Sequence, residues 1–170
     1  MRLHRSLHFT VALAALLFAA AVHADDPKAC CKIIRVDAGK GTGWLRNPRN
    51  GMVAQFRLGA GDTERFKVGD RFDPEANALN GTPLERRYAM VLPELGELNA
   101  HIIRARGAEM AAEIDATKTV YRIYALKFGR VLSSVKPGLA IYIDEAARWA
   151  FIPVEGYGKV KPSVWAFALD

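Results

Sequence analysis

Every glycine and every proline of this 170-residue chain lies beyond residue 24, 14 of the first and 8 of the second, at short and fairly even intervals. Glycine opens positive φ and proline removes a backbone donor, so neither leaves room for long uninterrupted helices. The runs between them are short and rich in β-branched and aromatic residues. That pattern predicts a mainly β protein with turns at regular intervals.

The first runs read as a three-stranded meander. Lys32 to Val36 is one strand, residues 37–41 a glycine turn, and Trp44 to Arg46 the return. Pro48 and the Asn50-Gly51 pair mark a second turn. Met52 to Leu58 then alternates, with Val53, Gln55 and Arg57 on one side and Met52, Ala54, Phe56 and Leu58 on the other. Phe66 to Phe72 carries a Val-Gly-Asp corner, an element of small barrels of the SH3 or OB kind. Arg86 to Leu92 reads as another strand.

One helix is predicted near 93–106. Pro93 suits a first helical position, Glu94 and Glu97 suit the positive end of the dipole, and Leu95, Leu98, Ile102 and Ala105 follow helical spacing. Gly107 would end it. After it, residues 109–115 and 119–126 alternate as a hairpin. Phe128 to Leu132, Leu139 to Asp144, Arg148 to Ile152 and Ser163 to Ala168 complete the strands. The expected organisation is a segment 1–24, a β unit over 25–92, a bridging helix over 93–107 and a second β unit over 108–170, the two units forming one domain or two.

Two short motifs recur in order. Residues 36–40 resemble residues 114–118, and Phe66-Lys67-Val68-Gly69 resembles Val135-Lys136-Pro137-Gly138, each followed by an apolar-Asp pair. They suggest an internal duplication of the barrel-like unit.

Residues 1–24 have the makeup of an export signal. Arg2 and Arg5 precede fourteen residues, Phe9 to Val22, that are apolar except for Thr10, and Val22-His23-Ala24 follows. Fourteen residues fall short of the ~20 that span a bilayer. The expectation is cleavage after Ala24 and a soluble periplasmic or secreted protein. Net charge then falls from +6 to +4, spread over the chain without a basic block, so no nucleic-acid partner is expected. Only His101 remains of the four histidines, which excludes chemistry needing two in that mature monomer.

Cys30-Cys31, Ile33, Val36-Asp37, a glycine turn, Phe56 and Lys67-Val68-Gly69 together resemble a family of small exported bacterial β-domains of unknown function with a Cys-Cys pair before the first strand. The resemblance spans the first half only. It implies a β-domain in the cell envelope and no particular activity.

The two cysteines are the only ones in the chain. Adjacent Cα atoms stand closer than a disulfide prefers, so a bond to another molecule, giving a disulfide-linked dimer, is one expectation. Three readings stand: a redox pair, a soft-metal site for Cu(I) or Hg(II), and a structural pair. Zinc is disfavoured by the shortage of ligands. Residues 39–43 lack the Ser or Thr that a phosphate loop needs after its Lys, and read as a hairpin turn. Asp144 and Glu145 would point to opposite faces of a strand. Tyr121, Arg122 and Tyr124, with Trp149, are the nearest approach to a stacking platform for a ligand; core packing uses the same residue types. The expected function is a non-enzymatic binding or structural role towards an unidentified envelope component, without a cofactor. The alternative is thiol redox or Cu(I) handling through Cys30 and Cys31.

Overall fold

The computed structural model describes residues 30–124, 133–154 and 163–170. The export signal expected over 1–24 and the strand expected over 128–132 lie outside the described residues. No helix among the described residues is long and apolar enough to cross a membrane.

The fold is mainly β, as the turn spacing predicts. Strands β1 (Lys32–Asp37), β2 (Thr42–Arg46) and β3 (Val53–Arg57) form the expected antiparallel meander. Asp37 Oδ1 accepts the Lys40 N–H at 3.0 Å in the first turn, and Gly41 and Gly51 supply the positive φ that the two turns require. A single helical turn, α1 (Asp62–Arg65), follows. Three two-residue strands come next: β4 (Phe72–Asp73), β5 (Ala78–Leu79) and β6 (Thr82–Pro83). Of the run 86–92, only β7 (Met90–Val91) is a strand, paired with β3. The core of this unit gathers Ile33, Leu45, Phe56, Phe66, Phe72 and Tyr88.

The helix expected over 93–106 does not form. Gly96 sits at φ 73, in the left-handed region, and residues 100–106 are strand β8 (Ala100–Arg106). Ala100 and Ile102 are buried while Ile103 is exposed, a period of two that the helical spacing of Leu95, Leu98 and Ile102 concealed. Tertiary pairing decides the outcome, because β8 hydrogen-bonds to a strand on each side. The second unit therefore begins at this strand, with no helix bridging the two.

That unit continues with β9 (Glu109–Ile114), β10 (Val120–Tyr124), β11 (Ala140–Asp144), β12 (Trp149–Val154) and β13 (Ser163–Ala168). The 109–124 hairpin is as expected. The sheet order is β10-β9-β8-β11-β12-β13. The sheet curls until its edges meet: Ile123 bridges Leu169, and the Asp170 N–H donates to the Arg122 carbonyl at 3.1 Å. Ile102, Met110, Ile123, Ile141, Ile152 and Phe167 fill the interior.

The two units repeat one plan. In the first, Gly69 N–H donates to the Ile33 carbonyl and Ile33 N–H to Asp70, both at 2.8 Å. In the second, Gly138 N–H donates to Ile102 at 2.7 Å and Ile102 N–H to Leu139 at 2.9 Å. Lys32 bridges Arg71 as His101 pairs with Ala140. A register shift follows in both, between Ile33 and Arg35 and between Ile102 and Arg104. Asp73 Oδ1 accepts the Ala76 N–H at 3.0 Å, and Asp144 Oδ1 accepts that of Ala147 at 3.0 Å. The Lys-x-Gly motifs thus correspond as expected. The other pairing needs correction: residues 36–40 turn from β1 into β2, whereas 114–118 turn from β9 into β10. The true counterpart of Lys32-Ile33-Ile34-Arg35 is His101-Ile102-Ile103-Arg104.

The outer face of the first meander packs on the outer face of β12 and β13. Ile34, Trp44 and Val53 meet Phe151, Val164 and Ala166 in a third buried cluster, with Leu95 of the connecting segment beside it. Arg46 crosses this junction, donating from Nε to the Ala166 carbonyl at 2.7 Å, and Arg35 reaches Asp144 at 3.7 Å.

Candidate functional site

The residues singled out from sequence do not converge. Cys30 and Cys31 stand at the entrance to β1, where the Cys31 carbonyl accepts the Phe72 N–H at 3.0 Å. The two sulfurs are bonded to each other. A Cu(I) site there would require reduction of that bond, and a disulfide to a second molecule would form by attack of that molecule's thiolate on it, with one of the two sulfurs leaving as thiolate. Cys31 belongs to the first core and Cys30 packs against it. In excess reductant, Cys31→Ser should cost about 1–3 kcal/mol by burying a hydroxyl without a partner. Cys30→Ser should stay within about 0.5 kcal/mol. Denaturant titration checks this; equal losses would show that Cys31 does not sit in the core.

Strand β10 splits the aromatic set. Tyr121 packs against the barrel interior, whereas Arg122 and Tyr124 are exposed on the other face. Trp149 packs in the junction between the units, with the Arg46 guanidinium 5.2 Å from its ring centroid. Burial lowers the pKa of Arg46. No platform forms from the four residues. Tyr121 instead donates its hydroxyl to Glu145 at 2.5 Å, and Arg148 lies 5.5 Å from its ring centroid. The bond to Glu145, more than burial, raises the Tyr121 pKa above that of an ordinary phenol. Tyrosine-labelled NMR should find Tyr121 ionising above pH ~10, and Glu145→Ala should move it back. Because the folded-state pKa is the raised one, the bond stabilises the fold below that value and is lost as pH rises through it. An unchanged midpoint in the variant would rule out Glu145 as the cause.

His101 lies on a strand, with Nδ1 2.6 Å from Asp115 Oδ1. Asp144 and Glu145 diverge as expected, one towards Arg35 and the other towards Tyr121. Among the described residues, no three His, Cys, Asp or Glu side chains are grouped to hold a metal ion.

A cleft of about 740 Å³ opens where the first meander meets the segment leading to the second unit. Thr42, Gln55 and Arg57 line it from β2 and β3, Lys40 and Gly41 from the β1–β2 turn, Val91 from β7, and Leu92 and Glu94 from the connecting segment. Thr42 and Arg57 are direct cross-strand partners. Gln55 is buried, and its Oε1 accepts the Glu94 N–H at 3.2 Å, which pins the segment over the sheet. The Thr42 Oγ1 is buried without a hydrogen-bond partner. No protein-family model, curated protein or solved structure matches the chain. The cleft therefore rests on its own chemistry.

Sequence reasoning missed this site. Placing Gln55 and Arg57 on one side of β3 was correct, but Leu92 and Glu94 came within reach only because residues 93–99 are not a helix. Pro93 and Gly96 in four residues were the available signal.

Proposed function

We propose that the chain is a non-catalytic binding module of the cell envelope and that its ligand occupies the cleft over β2 and β3. The observation that carries this reading is the cleft of about 740 Å³, where Lys40, Gln55 and Arg57 stand together beside the exposed Leu92. The volume lies in the range typical of small-molecule sites. The charged, apolar and small-residue series over 1–24 supports export. The second reading, thiol redox or Cu(I) handling, draws support from the adjacency of Cys30 and Cys31 at a strand entrance.

The test is a fragment screen by saturation-transfer NMR on native protein and on Thr42→Trp, which fills the cleft floor. Fragments that bind the native protein should be lost in the variant. Fragments that bind both alike, or none at all, would overturn the assignment. Fractionation of expressing cells, followed by N-terminal sequencing, tests export: an intact Met1 on the cytoplasmic protein would refute it.

A further inference from the structure

We infer that the cleft takes an aliphatic monocarboxylate, an inference that rests on the binding reading above. The lining carries two cations, Lys40 and Arg57, and one acid, Glu94. Neither cation makes an ion pair among the described residues. The surplus of one positive charge matches a monoanion better than a phosphate, which carries nearly two negative charges at neutral pH. An Arg fork fits the two oxygens of a carboxylate, and Lys adds a point charge beside it. Gln55 adds a neutral polar side chain to the same floor. The facing wall adds apolar surface beside Glu94: Val91 and Leu92 line it, and Leu92 is 56% exposed. A ligand with an anionic head and a short aliphatic body satisfies both walls, whereas a sugar or a polyanion satisfies one.

Such a carboxylate could belong to an acyl chain or to a peptide C-terminus, and the probes separate these. Octanoate and N-acetyl-leucyl-leucine are titrated into ¹⁵N-labelled protein, each beside its neutral amide. Octanoate should shift the amides of Thr42, Gln55, Arg57 and Leu92, with octanamide at least 10-fold weaker. Arg57→Gln should weaken octanoate by about 10- to 100-fold, and Leu92→Ser by several-fold. Arg122→Gln, on the far unit, should change nothing. Stronger binding of the peptide than of octanoate identifies a peptide end as the source, and the reverse an acyl chain; either supports the inference. Equal binding of acid and amide at these residues would overturn the carboxylate assignment and leave the cleft as a binding site. No shift in the cleft with any probe would overturn the carboxylate assignment, and the fragment screen would then decide whether the cleft binds anything.

Discussion

Phe56→Ala should lower the stability of the first unit by about 3–5 kcal/mol, the usual cost of removing a buried aromatic ring. Phe56 is fully buried, with its ring centroid 5.3 Å from that of Phe66 and 5.0 Å from that of Phe72. The ring also lies over Gly43, where any side chain would collide with it. The repeat shows why this position matters. At the matching cross-strand site of the second unit, Met110 faces Ile123 where Gly43 faces Phe56. One unit fills the space from β3 alone, the other from both strands. Truncating Phe56 therefore leaves a void that its partner strand cannot fill, and the deficit includes a cavity term as well as lost burial. Phe56→Leu should cost about 1.5 kcal/mol or less, since most of the volume remains. Equilibrium denaturation in guanidinium measures both. A loss below about 1 kcal/mol for the alanine variant would mean that the first core is not built around this ring.

The meander was legible because its signals are local. Asp37, Asn47, Asn50 and the glycines fix each turn through bonds only two or three residues long. The short alternating runs between them had one face to bury and hence one register. Strand β8 was not legible, because its sequence satisfies two periods. Leu95, Leu98, Ile102 and Ala105 fit a helix, while Ala100, Ile102 and the β-branched pair Ile102-Ile103 fit a strand. What separates the two is pairing with β9 and β11, whose partner residues lie 14 and 39 positions away in the pairs Ala100 with Ile114 and His101 with Ala140. The same misreading hid the repeat of Ile-Ile-Arg, since a helix cannot match a strand. The cleft was illegible for a related reason. Its floor comes from a sheet visible in the sequence, but its wall comes from a segment whose path only the tertiary structure sets.

Trp44→Ala should separate one unfolding transition into two. Each unit has a core of its own, so either has the means to persist when the other opens. What joins them is the third cluster, in which Trp44 is 3% exposed and packs edge-on against Phe151 at 5.3 Å. The Arg35 guanidinium, 5.8 Å from the Trp44 ring centroid, ties the same ring to Asp144 across the junction. Truncation should cost about 3–5 kcal/mol, and the loss falls on the coupling between units more than on either interior. Two spectroscopic probes should then disagree: a tryptophan signal from Trp165 reporting the second unit, and a tyrosine signal from Tyr88 reporting the first. Phe151→Ala should produce the same separation, and the double variant should lose less than the sum of the two, because both remove one contact. The outcome that would sink this account is a single coincident transition in Trp44→Ala, shifted no further than in Phe56→Leu. That result would place the cooperativity of the chain in the backbone bond from the Ala166 N–H to the Gly51 carbonyl and in the Arg46 crossing, with the buried cluster contributing little.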